Sequence, residues 1–465
     1  MDAYCFVAGR RAVTAGTLDV FSPGDGRLVG RAGVPDEDQV EAAVAAAAAV
    51  ADEYAALPAH ARAAALDHVS RRLAERAEEV AALISAENGK PIKWARVETS
   101  RAISTFRWAA EEARRFGGEF QRLDTDPNAT GRAALIRRFP RGPVLGIAPF
   151  NFPLNLVAHK VAPALAVGAP IIVKPAPATP LSALLLGGIL AETELPEGAW
   201  SVLPVPNDRM EPLVADLRLP VVSFTGSVPV GWSIAEAVPR KHVTLELGGN
   251  AAAVVCPDWT DLEFAAQRIA LFSNYQAGQS CIAVQRVLVA RSVFDDFVPL
   301  LKAEIAALDL AEDVGPVIND AAAERISGWV AKSGGEILAG GGRDGRLVEP
   351  TVIANPDPAA EVLTEEVFGP VLTVQAFDTV DEAFGMVNDS AFGLQAGVFT
   401  RDLPTAFAAH RALRVGGVIV GDVPSFRADQ MPYGGQKASG TGREGVRSAM
   451  EDYTEQRVLV LGALG

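Results

Sequence analysis

The chain has 465 residues, 49% hydrophobic and 21% charged, with 43 glycines and 31 prolines, enough for two or three globular domains and unlike a disordered or fibrous chain. A formal net charge of −15 argues against a nucleic-acid surface, because phosphate binding needs a basic face. Three scattered cysteines (Cys5, Cys256 and Cys281) make no disulfide framework, and five dispersed histidines make no metal-ligand grouping. A reducing cytoplasm and no metal are therefore expected. Met1 to Phe6 lacks the basic-then-apolar layout of a signal peptide, and the apolar run 181–191 stops at Glu192, too short to cross a bilayer.

Residues 37–118 predict helices: an alanine-rich segment over 42–56, then 62–87 and 98–116 with apolar residues at helical spacing. Gly117 and Gly118 end that series. Strands are predicted over 133–139 and 144–147, followed by strand 170–174, helix 181–192, strand 219–224, helix 231–238, and strands 242–246 and 251–255. Such alternation implies a mainly parallel, doubly wound sheet. A second α/β series begins near residue 249, with helices over 262–275, 293–308 and 379–387 and strands over 286–290, 371–377, 397–400 and 417–420. The stretch 453–464 carries a strand from Arg457 to Leu461 with little chain left to cover it. A partner subunit or an edge in the chain's own sheet would satisfy it equally well.

The pattern GxGxxG occurs at Gly340–Gly345 and at Gly440–Gly445, and neither looks like a phosphate site. The first lacks a following helix, and the second leaves too little chain for a βαβ unit. Phe224 to Trp232 is a better candidate, since it joins a strand to a helix whose free amides can meet an anion, with Pro229 in the first turn. Taken alone, it is also an ordinary βα turn. Lys174 ends an apolar strand, where a lysine either reaches a ligand or snorkels to solvent.

Catalytic chemistry is most legible in Asn274-Tyr-Gln-Ala-Gly-Gln-Ser-Cys281 and in Leu245-Glu-Leu-Gly-Gly249. The first offers a soft nucleophile behind a small turn. The second holds a carboxylate that apolar surroundings can turn into a base for water. Taken with Gly146-Ile-Ala-Pro-Phe-Asn-Phe-Pro-Leu154, Val173-Lys-Pro175, Ser223-Phe-Thr-Gly-Ser227, Glu365-Glu-Val-Phe-Gly-Pro370 and Pro432-Tyr-Gly-Gly-Gln-Lys-Ala-Ser-Gly440, these segments resemble the aldehyde dehydrogenase superfamily over essentially the whole chain. Asn155-Leu-Val-Ala-His-Lys160, Cys281-Ile-Ala-Val-Gln-Arg286 and Arg427-Ala-Asp-Gln-Met-Pro432 are similar to the branch of lactaldehyde, non-phosphorylating glyceraldehyde-3-phosphate and phosphonoaldehyde dehydrogenases.

That resemblance implies an α/β fold of two doubly wound, Rossmann-type domains and a small β oligomerisation element. The cofactor domain would span 1–121 and 141–248, the catalytic domain 249–445, and the oligomerisation element 122–140 and 446–465. It implies NAD or NADP as cofactor, a small aldehyde as substrate, and a homodimer or homotetramer. By position, Cys281 would attack the carbonyl, Asn151 and the Cys281 backbone N–H would hold the oxyanion, and Glu246 would activate the hydrolytic water. One oxyanion donor is worth about 3–4 kcal/mol. Lys174 and Glu366 match positions that hold the two riboses, Phe368 the nicotinamide side, and Gly226 and Ser227 the turn beside the pyrophosphate.

Two departures bear on specificity. Pro177 stands where many NAD-preferring members carry a glutamate, so a 2′-phosphate is not repelled, and Lys174 and Arg209 are candidates to meet it. Ser280 stands where phosphate-recognising relatives carry an arginine, which weakens a glyceraldehyde-3-phosphate assignment. Arg101 and Arg427 are expected to hold an anionic tail with His159 nearby, because an arginine fork suits a carboxylate or phosphonate. The alternatives are a CoA-acylating dehydrogenase, which does not need Glu246, a cysteine hydrolase, which would want a histidine beside the turn, and a non-catalytic paralogue.

Overall fold

The computed structural model describes residues 3–462; residues 1–2 and 463–465, the outer ends of the segments 1–121 and 446–465, lie outside the described residues. The helices predicted within 37–118 are Glu37–Ala56, Ala59–Glu75, Ala77–Asn88 and Ile92–Arg115. The first starts at a capping box: Asp36 accepts from the Gln39 N–H at 2.8 Å, and Gln39 accepts from the Asp36 N–H at 3.2 Å. The helix expected over 62–87 is two helices that meet at Arg76, whose φ −110 and ψ 21 leave the α region. Four strands within the first 34 residues carry no prediction: Tyr4–Val7, Arg10–Val13, Gly16–Phe21 and Leu28–Val34.

One sheet has eight strands in the order Arg10–Val13, Tyr4–Val7, Trp200–Val202, Ile171–Lys174, Val144–Ile147, Val221–Thr225, His242–Glu246 and Gly440–Thr441. The five from Trp200–Val202 to His242–Glu246 run parallel. Strand order reverses at Val144–Ile147, the switch point where a doubly wound sheet opens a crevice beyond its strand ends. Alternate residues feed opposite faces. Val144, Ile171 and Val221 pack with Tyr54, Leu66 and Phe106, whereas Leu145, Ile172 and Val222 pack with Leu213 and Leu245.

The second sheet has seven strands in the order Glu336–Ala339, Thr351–Ala354, Val371–Phe377, Val284–Ala290, Ala251–Val255, Gln395–Phe399 and Gly417–Val420, parallel except for the first. Cys256 lies in its core, and Cys5 is buried against the first sheet. A third sheet orders Thr454–Leu461, Ala133–Pro140 and Glu119–Arg122, with the first two antiparallel from Thr454↔Pro140 to Leu461↔Ala133. The C-terminal strand thus begins before Arg457 and forms the edge of the chain's own sheet. Its Val458, Leu459 and Val460 are more than half exposed.

Neither GxGxxG pattern begins a βαβ unit: Gly440–Gly445 runs into the short helix Val446–Asp452, but the next strand, Thr454–Leu461, pairs antiparallel in the third sheet. Gly340–Gly345 leads into the hairpin Arg343–Asp344 and Leu347–Val348. Gly440 lies where a Cβ would come within 1.9 Å of the Leu245 carbonyl oxygen, so its glycine is required by strand pairing.

Candidate active site

Parallel strands converge on the site. Val144–Ile147 runs into the loop that carries Asn151, Ile171–Lys174 ends on Lys174, and Val221–Thr225 runs into Gly226 and Ser227. His242–Glu246 ends on Glu246, and the next four residues cross to Ala251–Val255 of the second sheet. Cys281 lies just before Val284–Ala290, whose Val284 pairs with Ala251. The C-terminal edge of the first sheet therefore faces the N-terminal edge of the second across Glu246 and Cys281. The approach is close: a Cβ on Gly249 would stand 2.1 Å from the Cys281 carbonyl oxygen.

The turn before Cys281 is strained. Gln276 (φ 44, ψ 45) and Ala277 (φ 59, ψ 31) both adopt left-handed backbone, at a cost of about 1–3 kcal/mol each. Amide groups hold it. The Gln279 carbonyl accepts from Asn151 Nδ2 and from Gln276 Nε2, each at 3.0 Å, and Tyr275 donates to Ser280 Oγ at 2.6 Å. Ser280 is thereby engaged within the turn.

Cys281 and Glu246 line one cavity of about 290 Å³, together with Arg101, Arg427, Tyr433, Ser280 and the rings of Trp94, Phe152 and Phe426. Burial pushes the Cys281 thiol up to about 12, while a 2.9 Å contact with the Tyr433 hydroxyl acts in the opposite direction. Glu246 is buried with neither carboxylate oxygen hydrogen-bonded. Burial, and then the neighbouring charge of Glu444, hold it well above the usual carboxylate range. Burial would raise Glu444 as well, but Lys160 at 3.2 Å and Arg427 at 3.1 Å keep it well below that range.

In the same cavity Arg101 pairs with Asp429 at 3.0 Å, and Arg427 stacks 3.8 Å from the centre of the Tyr433 ring with its Nε lacking a partner. His159 does not line the cavity. It is fully buried, 3.3 Å from Asp429, and so lies behind the carboxylate that holds Arg101. Burial lowers its pKa, leaving it neutral. Arg268 does line the cavity, paired to Asp422 by two 2.8 Å hydrogen bonds and stacked on Phe272.

The residues expected to hold a dinucleotide lie outside this cavity. Lys174 donates to Asn207 at 2.5 Å, and burial brings it down to about 8. Glu366 accepts from the Gly249 N–H at 3.0 Å, and burial pushes it up to about 7. Phe368 adopts φ 47 and packs edge-on against Phe150. The Gly226 N–H donates to the Glu246 carbonyl, and Ser227 caps the helix Val228–Ala237 with no side-chain bond, leaving hydroxyl and first-turn amides for an anion. A cation, a carboxylate, an aromatic ring and open amides at a switch point suit a dinucleotide.

Comparison with known proteins agrees. A model described as "Aldehyde dehydrogenase family" matches residues 11–459. The chain belongs to the aldehyde dehydrogenase family. It is 39% identical to 3-sulfolactaldehyde dehydrogenase of Priestia aryabhattai, over 98% of this chain and 97% of that one. It superposes on aldehyde dehydrogenase 21 from Physcomitrella patens, solved with the reaction product succinate, with TM-score 0.97, 42% identity and coverage of 100% and 98%. NADP-dependent glyceraldehyde-3-phosphate dehydrogenase from Bacillus halodurans C-125, solved with NADP, gives TM-score 0.95 and 32% identity, with 100% of each chain covered. The match places this aldehyde dehydrogenase among NAD(P)-dependent oxidoreductases, in the lactaldehyde and glyceraldehyde-3-phosphate dehydrogenase branch.

Among the cavity residues of this aldehyde dehydrogenase that carry charge or touch Cys281, Tyr433, Glu444 and Arg268 escape sequence reasoning, and so does Lys160, which pairs with Glu444. Tyr433 and Glu444 stand inside or beside glycine-rich segments, the latter within the discarded GxGxxG pattern. Lys160 sits on Asn155–Val167, a helix buried on every face. Arg268 gives no signal beyond an ordinary helix. Among the described residues no helix is long and apolar enough to cross a membrane.

Proposed function

We propose that the enzyme oxidises a small aldehyde with an anionic tail to its carboxylic acid, using NAD or NADP, through a thiohemiacetal and a thioester on Cys281. The observation that carries this is one cavity holding the Cys281 thiol, the unpartnered Glu246 carboxylate and the Arg101 and Arg427 guanidinium groups. Cys281 Sγ, once its proton has passed to solvent, bonds the carbonyl carbon. The Asn151 amide and the Cys281 N–H then stabilise the oxyanion, about 3–4 kcal/mol for one donor. Lys174, Glu366 and Phe368, with Gly226 and Ser227, would hold the dinucleotide. When bound, its nicotinamide supplies the acceptor for the hydride lost from the former aldehyde carbon. Glu246 next takes a proton from water, the water oxygen bonds the thioester carbon, and the C–S bond breaks to release the acid and Cys281.

Charge supports the anionic tail. Arg101, held by Asp429, and Arg427, whose Nε lacks a partner, both line the cavity that holds Cys281. The relative from Physcomitrella patens was solved with the reaction product succinate, itself a carboxylate anion. Pro177 offers no carboxylate to repel a 2′-phosphate, which supports use of NADP as well as NAD. The test is NAD(P)H formation without CoA. Succinate semialdehyde or phosphonoacetaldehyde should exceed propanal by roughly 10-fold to 100-fold in kcat/KM, as a charged hydrogen bond of about 1.5–3 kcal/mol implies. Equal values would overturn the anionic tail, and strict dependence on CoA would overturn hydrolysis.

The same reading assigns cofactor binding to 1–121 and 141–248, catalysis to 249–445 and subunit contact to 122–140 and 446–465. Exposed Val458, Leu459 and Val460 on an edge strand support a homodimer or homotetramer, and the cysteine content supports a cytoplasmic setting.

A further inference from the structure

Lys90 and Glu98 form an ion pair whose side chains are wholly buried, and no step above uses them. Lys90 lies between the helices Ala77–Asn88 and Ile92–Arg115, and Glu98 lies on the second. The Lys90 ammonium has three N–H donors, and each finds an acceptor on a different segment: Glu98 Oε2 at 2.7 Å, the Asn151 main-chain oxygen at 2.6 Å and Gln276 Oε1 at 2.7 Å. The other Glu98 oxygen accepts the Leu154 and Asn155 N–H groups at 2.9 and 3.1 Å, fixing the far side of the Asn151 loop. Gln276 passes the connection on, since its amide donates to the Gln279 carbonyl at 3.0 Å. Asn151 Nδ2 ends on that same carbonyl at 3.0 Å.

These bonds close a ring from Lys90 through Gln276, Gln279 and Asn151 back to Lys90. The ring joins a loop of the first sheet to the strained turn that presents the nucleophile. It spends one N–H of the Asn151 amide on Gln279, two residues before Cys281, and leaves the second N–H free. A buried ion pair is a poor way to gain stability, because apolar residues of similar volume do as well. Its geometry, by contrast, suits the fixing of two loops relative to each other.

We propose that Lys90, acting through Gln276, is a positioning residue that aims the free Asn151 N–H at the oxyanion formed on Cys281. The inference rests on Asn151 being the oxyanion donor. It predicts that loosening the ring impairs only the step that develops negative oxygen, because a misplacement near 1 Å costs on the order of 10²-fold in rate.

The experiment compares Gln276→Met, Asn151→Ala and the double variant, each read by kcat, KM and the rate of Cys281 alkylation by iodoacetamide, which develops no oxyanion. Gln276→Met keeps side-chain length and leaves the Lys90–Glu98 pair intact, so it avoids the folding defect that Lys90→Met invites. The expected result is a fall in kcat on the order of 10²-fold, with KM and alkylation within about twofold of the parent. Added to Asn151→Ala, the same substitution should cost no more than about twofold further. The full loss appearing again in the Asn151→Ala background, or alkylation falling in parallel with kcat, would overturn the proposal. Were Asn151→Ala itself to leave kcat intact, the oxyanion assignment beneath it would fail instead.

Discussion

Cys281 is a thiol held up to about 12 by burial, so at neutral pH it carries its proton and depends on its neighbours for reactivity. Tyr433 is the neighbour in contact, 2.9 Å away. Tyr433→Phe removes only the hydroxyl, and a hydrogen bond to a charged group is worth about 1.5–3 kcal/mol. The thiolate fraction should fall roughly 10-fold or more, moving the alkylation-rate profile to higher pH; an unchanged profile would remove Tyr433 from the account. For Glu246 the sign is set by its raised pKa: the base is protonated at low pH and becomes available as pH rises through its elevated value. Activity should therefore climb with pH above the ordinary carboxylate range of about 4.3. Glu246→Gln should abolish the limb that Glu246 contributes. Arg101→Ala should raise KM for succinate semialdehyde roughly 10-fold to 100-fold and leave propanal nearly unchanged, measured with both aldehydes at saturating cofactor.

At the scale of elements, legibility followed burial and boundaries. The strands Val144–Ile147, His242–Glu246, Ala251–Val255, Val371–Phe377 and Gly417–Val420 match their predicted spans, because each is a short β-branched run bounded by turn residues. Arg10–Val13 escaped because it is mostly exposed and carries two arginines, so it has no apolar alternation. Asn155–Val167 escaped for the opposite reason: all 13 of its residues are buried, and a helix that is apolar all round shows no stripe. That helix carries Lys160, so its pairing with Glu444 was hidden with it, whereas His159 is expected beside the tail and lies behind Asp429 instead. Asp36→Ala tests the one capping box that opens the helical layer. It should cost about 1 kcal/mol in urea unfolding with kcat unchanged.

Over the whole molecule, the proposed site lies where two sheets meet edge to edge, the first bringing Lys174, Gly226, Ser227 and Glu246 and the second bringing Cys281, Glu366 and Phe368. The residue pattern made that division readable, but the charge balance of the cavity was not, since it depends on Arg268, Lys160 and Glu444 arriving from distant segments. The proposed subunit contact is testable at this scale through the exposed Val458 and Val460. Replacing both with lysine should shift sedimentation to a smaller species, and a parent already monomeric would contradict the subunit contact. The central claim is covalent passage through Cys281, and it is tested most directly by mass spectrometry of Glu246→Gln mixed with NAD(P) and succinate semialdehyde. The account predicts one equivalent of NAD(P)H together with an acyl adduct on Cys281 that hydrolyses slowly. Full turnover with no adduct, or no NAD(P)H at all from the parent enzyme, would contradict it.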